Sequence, residues 1–256
     1  MITSPSNPLV KELVRLRSRR HRDTEARFVV EGRRPLALAA AAGVTFEQQV
    51  ICTDLGGEPV VDAPTVEMSE VAFRKASYRQ NPEGVLAIAR HLDTSLTKVS
   101  LPETPLVLVA ESIEKPGNVG AMLRTADAGG VDAVVLTGEG TDIHNPNVVR
   151  ASQGALFTVA VGTAAVEELT AWLSENGIRL LAAVPDGGSA PWQVDLTGPV
   201  ALAIGAVSAA TRLTSVSSKG REARCTTSAP SAPRLPMIGI ATKAGKRSSP
   251  SSEKPR

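Results

Sequence analysis

The sequence predicts an α/β protein with a parallel sheet in its second half, on three observations. Apolar runs of strand length alternate with segments of helical periodicity along most of the 256 residues. Two of those runs, residues 106–110 and 133–136, flank one helical segment, which implies a parallel strand pair joined by a right-handed crossover. Hydrophobic residues make up 42% of the chain, enough for a sizeable core, but only 3% are aromatic, so Val, Leu and Ala must fill it.

Taken in order, residues 2–8 are polar and turn-rich, and a helix is predicted from about Leu9 to Arg20. Leu9, Leu13 and Leu16 form its apolar stripe, and arginines cover the rest. Residues 28–32 read as a strand ending in a turn, and residues 33–42 as an Ala- and Leu-rich helix that Gly43 closes. Strands follow at 50–52 and 66–68. Ser69 fits an N-cap for a short helix over 70–75, and residues 85–89 form another strand. Residues 1–92 therefore make a small α/β domain, and residues 93–105, with few large apolar side chains, a linker.

The second domain spans 106–205. After its first strand comes a polar, Gly-rich turn over 111–118, then a helix in which Met122, Leu123 and Ala126 recur at helical spacing, stopped by Gly129 and Gly130. Residues 166–176 form an amphipathic helix ended by Gly177. Strands at 179–184 and 199–204 continue the pattern, with a turn at 185–188 between them and Gly205 closing the last. Ligands of such sheets bind at the carboxyl ends of the strands, where Glu111, Lys115, Asn118, Gly120 and Arg124 fall.

Composition excludes several classes. No run of eighteen apolar residues occurs, and the first residues do not form a signal peptide, so a cytoplasmic protein without membrane attachment is expected. Cys52 and Cys225 are too few for a disulfide framework, and three histidines offer no zinc cluster, so no metal is expected. The net charge of +2 is unevenly spread: residues 1–34 carry +5 and residues 206–256 carry +8, leaving −11 for the body between. A basic N-terminal element suits contact with phosphates, although a merely solvated basic helix has the same composition.

Gly117, Gly120 and Gly129 do not form the dinucleotide fingerprint, and no Walker lysine occurs. An ordinary nicotinamide-dependent oxidoreductase is thereby disfavoured. What stands here is Asn118-x-Gly120-x-x-x-Arg124-x-Ala126, preceded by Glu114-Lys115-Pro116-Gly117, and later Asn145-Pro146-Asn147-Val148-Val149-Arg150-Ala151-Ser152-x-Gly154-Ala155. The pair resembles the first two motifs of the SpoU family of RNA ribose 2′-O-methyltransferases, within the knotted SPOUT superfamily. The resemblance implies a small N-terminal RNA-recognition domain, and a parallel-sheet domain whose C-terminal segment ties a trefoil knot around S-adenosylmethionine. It implies RNA as partner, ribosomal RNA favoured and transfer RNA possible, and a homodimer that completes the active site.

Methylating a ribose 2′-OH requires removing its proton or stabilising the charge that develops as it attacks the sulfonium methyl. Arg124 matches the family's catalytic arginine; whether it serves as base or as oxyanion stabiliser is open, and an ion pair with Asp127 or Glu114 is the plainer alternative. Asn118 would orient the loop or the ribose, and Gly120 would let RNA backbone approach. Ser152 is a third catalytic candidate, or a helix cap. Arg150 would bind phosphate or lie at the dimer interface. For the cofactor the candidates are Gly205, Pro236 and Met237.

For RNA the candidates are Arg15, Arg19, Arg20, Arg33, Arg79, Asn81, Lys115 and Arg150. Residues 77–84 resemble the family's turn before its final N-terminal-domain strand. There Tyr78 would stack on a base or simply pack, and Arg79 would touch RNA or solvate the turn. The third family motif does not follow Gly205: residues 206–212 read AVSAATR, no Ser-Leu-Asn occurs, and residues 206–256 hold ten serines and ten bases. This stretch reads as an atypical tail, disordered or out of frame. The function expected is S-adenosylmethionine-dependent methyl transfer to a ribose 2′-OH, with a catalytically inactive RNA-binding remnant as the alternative.

Overall fold

The computed structural model of the protein describes residues 1–140, 142–184, 189–205 and 237–239. Helix α1 (Pro8–Arg15) opens on Asn7, whose Oδ1 accepts the Leu9 N–H at 2.9 Å. It stops at Arg15, and α2 (Arg19–Glu25) starts afresh, so the single predicted helix is two. The break has a cause that lies later in the chain. Arg22, only 1% exposed, turns inward and donates to the Leu16 and Arg17 carbonyls at 3.0 and 2.7 Å, while its Nη2 lies 2.8 Å from an Asp142 carboxylate oxygen. The solvated arginine face expected from the sequence is therefore corrected at Arg22, and also at Arg17, which caps carbonyls at the end of a later helix.

Strand β1 (Arg27–Glu31), α3 (Arg33–Ala41), β2 (Phe46–Ile51), β3 (Thr65–Glu67), α4 (Glu70–Ala76) and β4 (Val85–Arg90) build the first sheet, in the order β1-β4-β2-β3. Beta4 runs antiparallel to both neighbours, and β2 parallel to β3. Ser69 precedes α4 as predicted but makes no capping bond; its hydroxyl donates to the Thr3 carbonyl at 3.4 Å. Because strand side chains alternate faces, β4 serves two cores. Leu86 and Ile88 pack with Val10, Leu13, Leu16 and Phe73 under α1 and α4, while Val85, Ala87 and Ala89 face the other half of the molecule.

The second sheet is parallel and six-stranded among the described residues: β5 (Leu106–Glu111), β6 (Ala133–Thr137), β7 (Ala160–Ala164), β8 (Arg179–Val184), β9 (Val200–Gly205) and β10 (Met237–Gly239), in the order β10-β8-β9-β5-β6-β7. Helices α5 (Pro116–Ala128) and α6 (Pro146–Ser152) lie toward the first sheet, and α7 (Val166–Glu175) packs through Leu169 and Leu173 on the core of the opposite face. Val107 and Val109 point to α7 and Leu108 to α5 and α6, as burial on both faces of a parallel strand requires. Beta7, read from sequence as neither strand nor helix, is Ala-Val-Gly-Thr-Ala; Val161 and Thr163 favour a strand while Gly162 and the two alanines do not, and pairing with β6 makes it one.

One apolar cluster runs without interruption from Phe28, Val30, Leu36 and Ala87 to Leu108, Leu123, Val148 and Phe157, so both halves share a core. Residues 93–105 are also packed: Leu96 is 3% exposed, the Thr163 N–H donates to the Thr94 carbonyl at 2.8 Å, and a Cβ on Gly162 would meet Leu96 at 2.8 Å. The predicted turn at 185–188 and, apart from 237–239, the tail over 206–256 lie outside the described residues, and so does the path a knot would need. No helix among the described residues is long and apolar enough to cross a membrane.

Where the halves meet, the His91 and His144 rings stack at 3.8 Å and 6°, and His144 Nε2 accepts the Leu92 N–H at 3.0 Å. Burial holds both imidazoles neutral, His144 down to about 3, with His91 and Arg22 adding to the effect there. The unfolded chain takes up these protons near the ordinary histidine value of about 6.5, the folded chain only at lower pH, and at His144 not until about pH 3. Stability is thus fully present above that pH and falls below it, by up to about 1.4 kcal/mol per pH unit for His144 alone. Unfolding in urea at pH 7 and pH 5 should show a larger drop for the parent than for His144→Gln, which keeps an acceptor for Leu92 but cannot titrate; equal drops would sink this assignment.

Candidate functional site

At the carboxyl edge of the parallel sheet, Glu111 stands in register with Thr137 on one side and Gly205 on the other. Glu111 is 1% exposed. The chain turns out of β5 at Ser112, where φ is +52°, and this turn is held by Ser112 itself: its N–H donates to the Thr137 carbonyl at 2.9 Å and its hydroxyl to Glu111 at 3.0 Å. A Cβ on Gly205 would lie 2.5 Å from the Glu111 carbonyl oxygen, so the strand end must stay bare. What the missing side chain makes room for is Glu111 of the neighbouring β5. Met237 opens β10 opposite Ala182 of β8, on the far side of β8 from Gly205. Pro236 lies outside the described residues.

Helix α5 begins with Pro116 in its first turn, where the missing N–H costs nothing. Asn118 therefore sits inside the helix rather than on the predicted turn, exposed like Lys115. Arg124 is exposed further along, and its Nη1 donates to the Ala151 carbonyl at the end of α6. Asp127, one of the two ion-pair partners offered by the sequence, instead accepts from the Thr158 hydroxyl at 2.8 Å. Gly120 is buried: a Cβ there would stand 2.5 Å from Ala151 Cβ and 2.8 Å from Ser152 N. The reading that Gly120 admits RNA backbone is thus corrected, since what it admits is α6.

Helix α6 opens at Asn145, whose Oδ1 accepts the Asn147 N–H at 2.9 Å. Ser152 ends it, 1% exposed, with its hydroxyl donating to the Val149 carbonyl at 2.9 Å and accepting the Gly154 N–H at 3.4 Å. It caps no helix start, contrary to the structural alternative read from the sequence. The two motifs, separated by some twenty residues, are thereby folded into one pair of helices with Asn118 and Arg124 on one and Arg150 on the other.

The basic candidates divide. Arg15 and Arg20 are exposed on α1 and α2; Arg19 pairs with Asp23 at 3.5 Å. Arg33 is held by Glu58 at 3.1 Å and by the Gly56 carbonyl. Arg79 pairs with Glu83 and donates to the Glu31 carbonyl at 3.1 Å. Only Arg79, Asn81 and Arg150 converge, on a groove of about 810 Å³ that Arg34, Tyr78 and Asn147 also line. Arg34 was missed by sequence reasoning because only the phase of α3 separates it from Arg33. A second cleft of about 830 Å³ lies beyond β6 and β7, lined by His91, Glu139, Asp142 and Glu168 among others. No group of residues suited to hold a metal ion occurs among the described residues.

Comparison with known proteins agrees with this architecture. Residues 105–207 match the SpoU rRNA Methylase family, and residues 7–87 the MRM3-like substrate binding domain. An uncharacterized tRNA/rRNA methyltransferase of Synechocystis sp. is 31% identical, over 80% of this chain and 77% of its own. The 23S rRNA (guanosine(2553)-2′-O)-methyltransferase RlmP of Bacillus subtilis is 26% identical, over 80% of this chain and 81% of its own. A crystal structure of an RNA 2′-O ribose methyltransferase superposes with a TM-score of 0.68 at 38% identity, covering 80% of this chain and 81% of that one.

The contact at Gly120 yields a paired expectation. Gly120→Ala drives a methyl into Ala151 and the α6 backbone and should cost about 1–3 kcal/mol in urea unfolding. Gly117→Ala, where a Cβ meets nothing within 4 Å, should be neutral or slightly stabilising. Equal effects of the two would mean α6 is not seated on Gly120.

Proposed function

Because the chain belongs to the SpoU rRNA methylase family, we propose that it methylates a ribose 2′-OH of ribosomal RNA, using S-adenosylmethionine as methyl donor. The observation that carries this is the pairing of α5 with α6, which ties Arg124 of the first family motif to the Ala151 carbonyl of the second. The names of the relatives, most of them ribosomal RNA methyltransferases, favour that RNA over transfer RNA. The cofactor supplies an electrophilic methyl group on a sulfonium.

The residues of this chain have separate tasks in the reading. Gly205, at the carboxyl end of β9, is the cofactor candidate by its place on the sheet edge, with Met237 and Pro236 as weaker candidates. Arg124 has donors but no acceptor lone pair, so it stabilises the charge developing on the ribose oxygen as the proton passes to solvent water and the methyl moves from the sulfonium sulfur to that oxygen, while Asn118 orients the ribose from the first turn of the same helix. Ser152, turned into the protein with its hydroxyl on Val149, supports α6 from beneath. Arg150 and Arg79 with Asn81 receive RNA on one side, Lys115 at the start of α5 on another, and Arg15, Arg19, Arg20 and Arg33 extend the contact along the N-terminal half. The protein works as a homodimer, as the family resemblance implies.

One observation favours the inactive remnant as a second reading: the family match ends at residue 207, and no Ser-Leu-Asn follows. Calorimetric titration with S-adenosylmethionine separates the two, run on this chain and on a version whose tail carries the family's third motif. Binding by this chain supports the enzyme; binding by the restored version alone means the cofactor has been lost. In whichever version binds, Arg124→Ala should lower single-turnover methylation of ribosomal RNA about 10²–10³-fold while RNA affinity changes little. An undiminished rate would remove Arg124 from the reaction.

A further inference from the structure

The groove between the N-terminal half and α6 has a construction that the methyl-transfer chemistry does not use. Its wall is the turn over 77–81. Glu31 fixes that turn by accepting the Tyr78 N–H at 3.0 Å and the Ser77 hydroxyl, and Arg79 fixes it by donating to the Glu31 carbonyl at 3.1 Å. Arg79 lies where Gly32, at φ +102°, has no side chain: a Cβ there would sit 2.7 Å from Nη2. Arg17 donates to the carbonyls of Lys75, Ala76 and Ser77 at 2.9, 3.1 and 2.7 Å, and its guanidinium stands 5.8 Å from the Tyr78 ring centroid. The Tyr78 oxygen accepts from Asn147 Nδ2 at 2.8 Å.

Tyr78 is therefore an aromatic plate clamped at its backbone, its hydroxyl and the face under Arg17, yet it stays 37% exposed. Tyr78 lines the groove, and Arg17 does not. Around the ring, Gln80, Asn81 and Gln153 are exposed amides, each carrying donors and an acceptor. The charges are also sorted. Glu83 neutralises Arg79, while Arg34 and Arg150 are exposed and form no ion pair among the described residues, leaving two positive groups at the rim. A rigid ring, amides to read a base edge and two cations for phosphate are the parts that bind an unstacked nucleotide. About 810 Å³ is ample for one.

We propose that this groove is a subsite for one unpaired nucleotide flanking the methylated ribose, its base stacked on Tyr78 and its phosphates held by Arg34 and Arg150. The inference rests on the RNA-methyltransferase reading, and the flanking position follows from α6: Arg150 in the groove is the neighbour of Ala151, whose carbonyl holds Arg124. Because the ring is fixed before RNA arrives, little ordering cost is left to binding.

The test uses the full chain and short single-stranded RNAs carrying 2-aminopurine at successive positions, read by fluorescence for stacking and by anisotropy for affinity. Quenching at one position is expected for the parent and for Tyr78→Phe, which keeps the plate. Tyr78→Ala should abolish that quenching and weaken binding about tenfold, while the salt dependence of the remaining affinity persists. Adding the protein to a fully paired duplex should cause no further quenching. Binding without quenching in the parent, or quenching unchanged in Tyr78→Ala, overturns the subsite and leaves the methyltransferase reading standing. Preference for an acidic peptide over RNA in the same groove overturns it too. Failure of the parent to bind any RNA overturns both.

Discussion

The seating of α6 on α5 at Gly120 is the contact on which the other arrangements depend. A glycine there lets two helices approach until Ala151 occupies the place of a side chain. That approach brings the Ala151 carbonyl within reach of Arg124 and turns Val148 and Val149 into the core shared by both halves. It also sets Asn147 under the Tyr78 hydroxyl. A short helix of seven residues thus connects the parallel sheet to the half that carries the turn over 77–81. Its length is too small to be stable alone, so tertiary packing must hold it.

Electrostatics reinforces the same junction from the other side. Arg22 and Asp142 form a nearly dry ion pair between α2 and the loop before α6. Such pairs are weak evidence of net stability, because desolvation offsets the attraction, but losing one partner strands the other charge. Arg22 also satisfies two carbonyls at the α1–α2 break, so the pair fixes the entry of α2 as well. The His91–His144 stack beside it needs both rings neutral. Together these contacts explain why two halves with separate sheets share one continuous core instead of hanging from a linker.

Residues 93–105 show how local reasoning underestimates such packing. Leu96, Val99 and Leu101 looked too sparse to anchor anything, yet Gly162 in β7 leaves a space that Leu96 fills. Beta7 is the complementary case, since Val161 and Thr163 set among Ala and Gly carry a mixed signal until a neighbour supplies the hydrogen bonds. The arginines of the first helices misled in a further way: identical side chains in one stretch were divided by the fold into a buried tie at Arg22, a cap at Arg17 and exposed groups at Arg15 and Arg20.

By itself the sequence determined the alternation of strands and helices, the parallel pair around α5, and the residues of both motifs, because apolar periodicity, Pro and Gly signals and motif spacing are local properties. The pairing of α5 with α6, the burial of Ser152 and Gly120, and the convergence of Arg34, Tyr78 and Arg150 on one groove were decided only by tertiary structure. Those depend on which faces meet across distances of up to a hundred residues or more, and a one-dimensional pattern does not encode the rotation of one helix against another. An arginine in sequence is only a cation on a flexible stem; whether it caps a carbonyl, pairs with a carboxylate or stays open for phosphate follows from what the fold places within its reach.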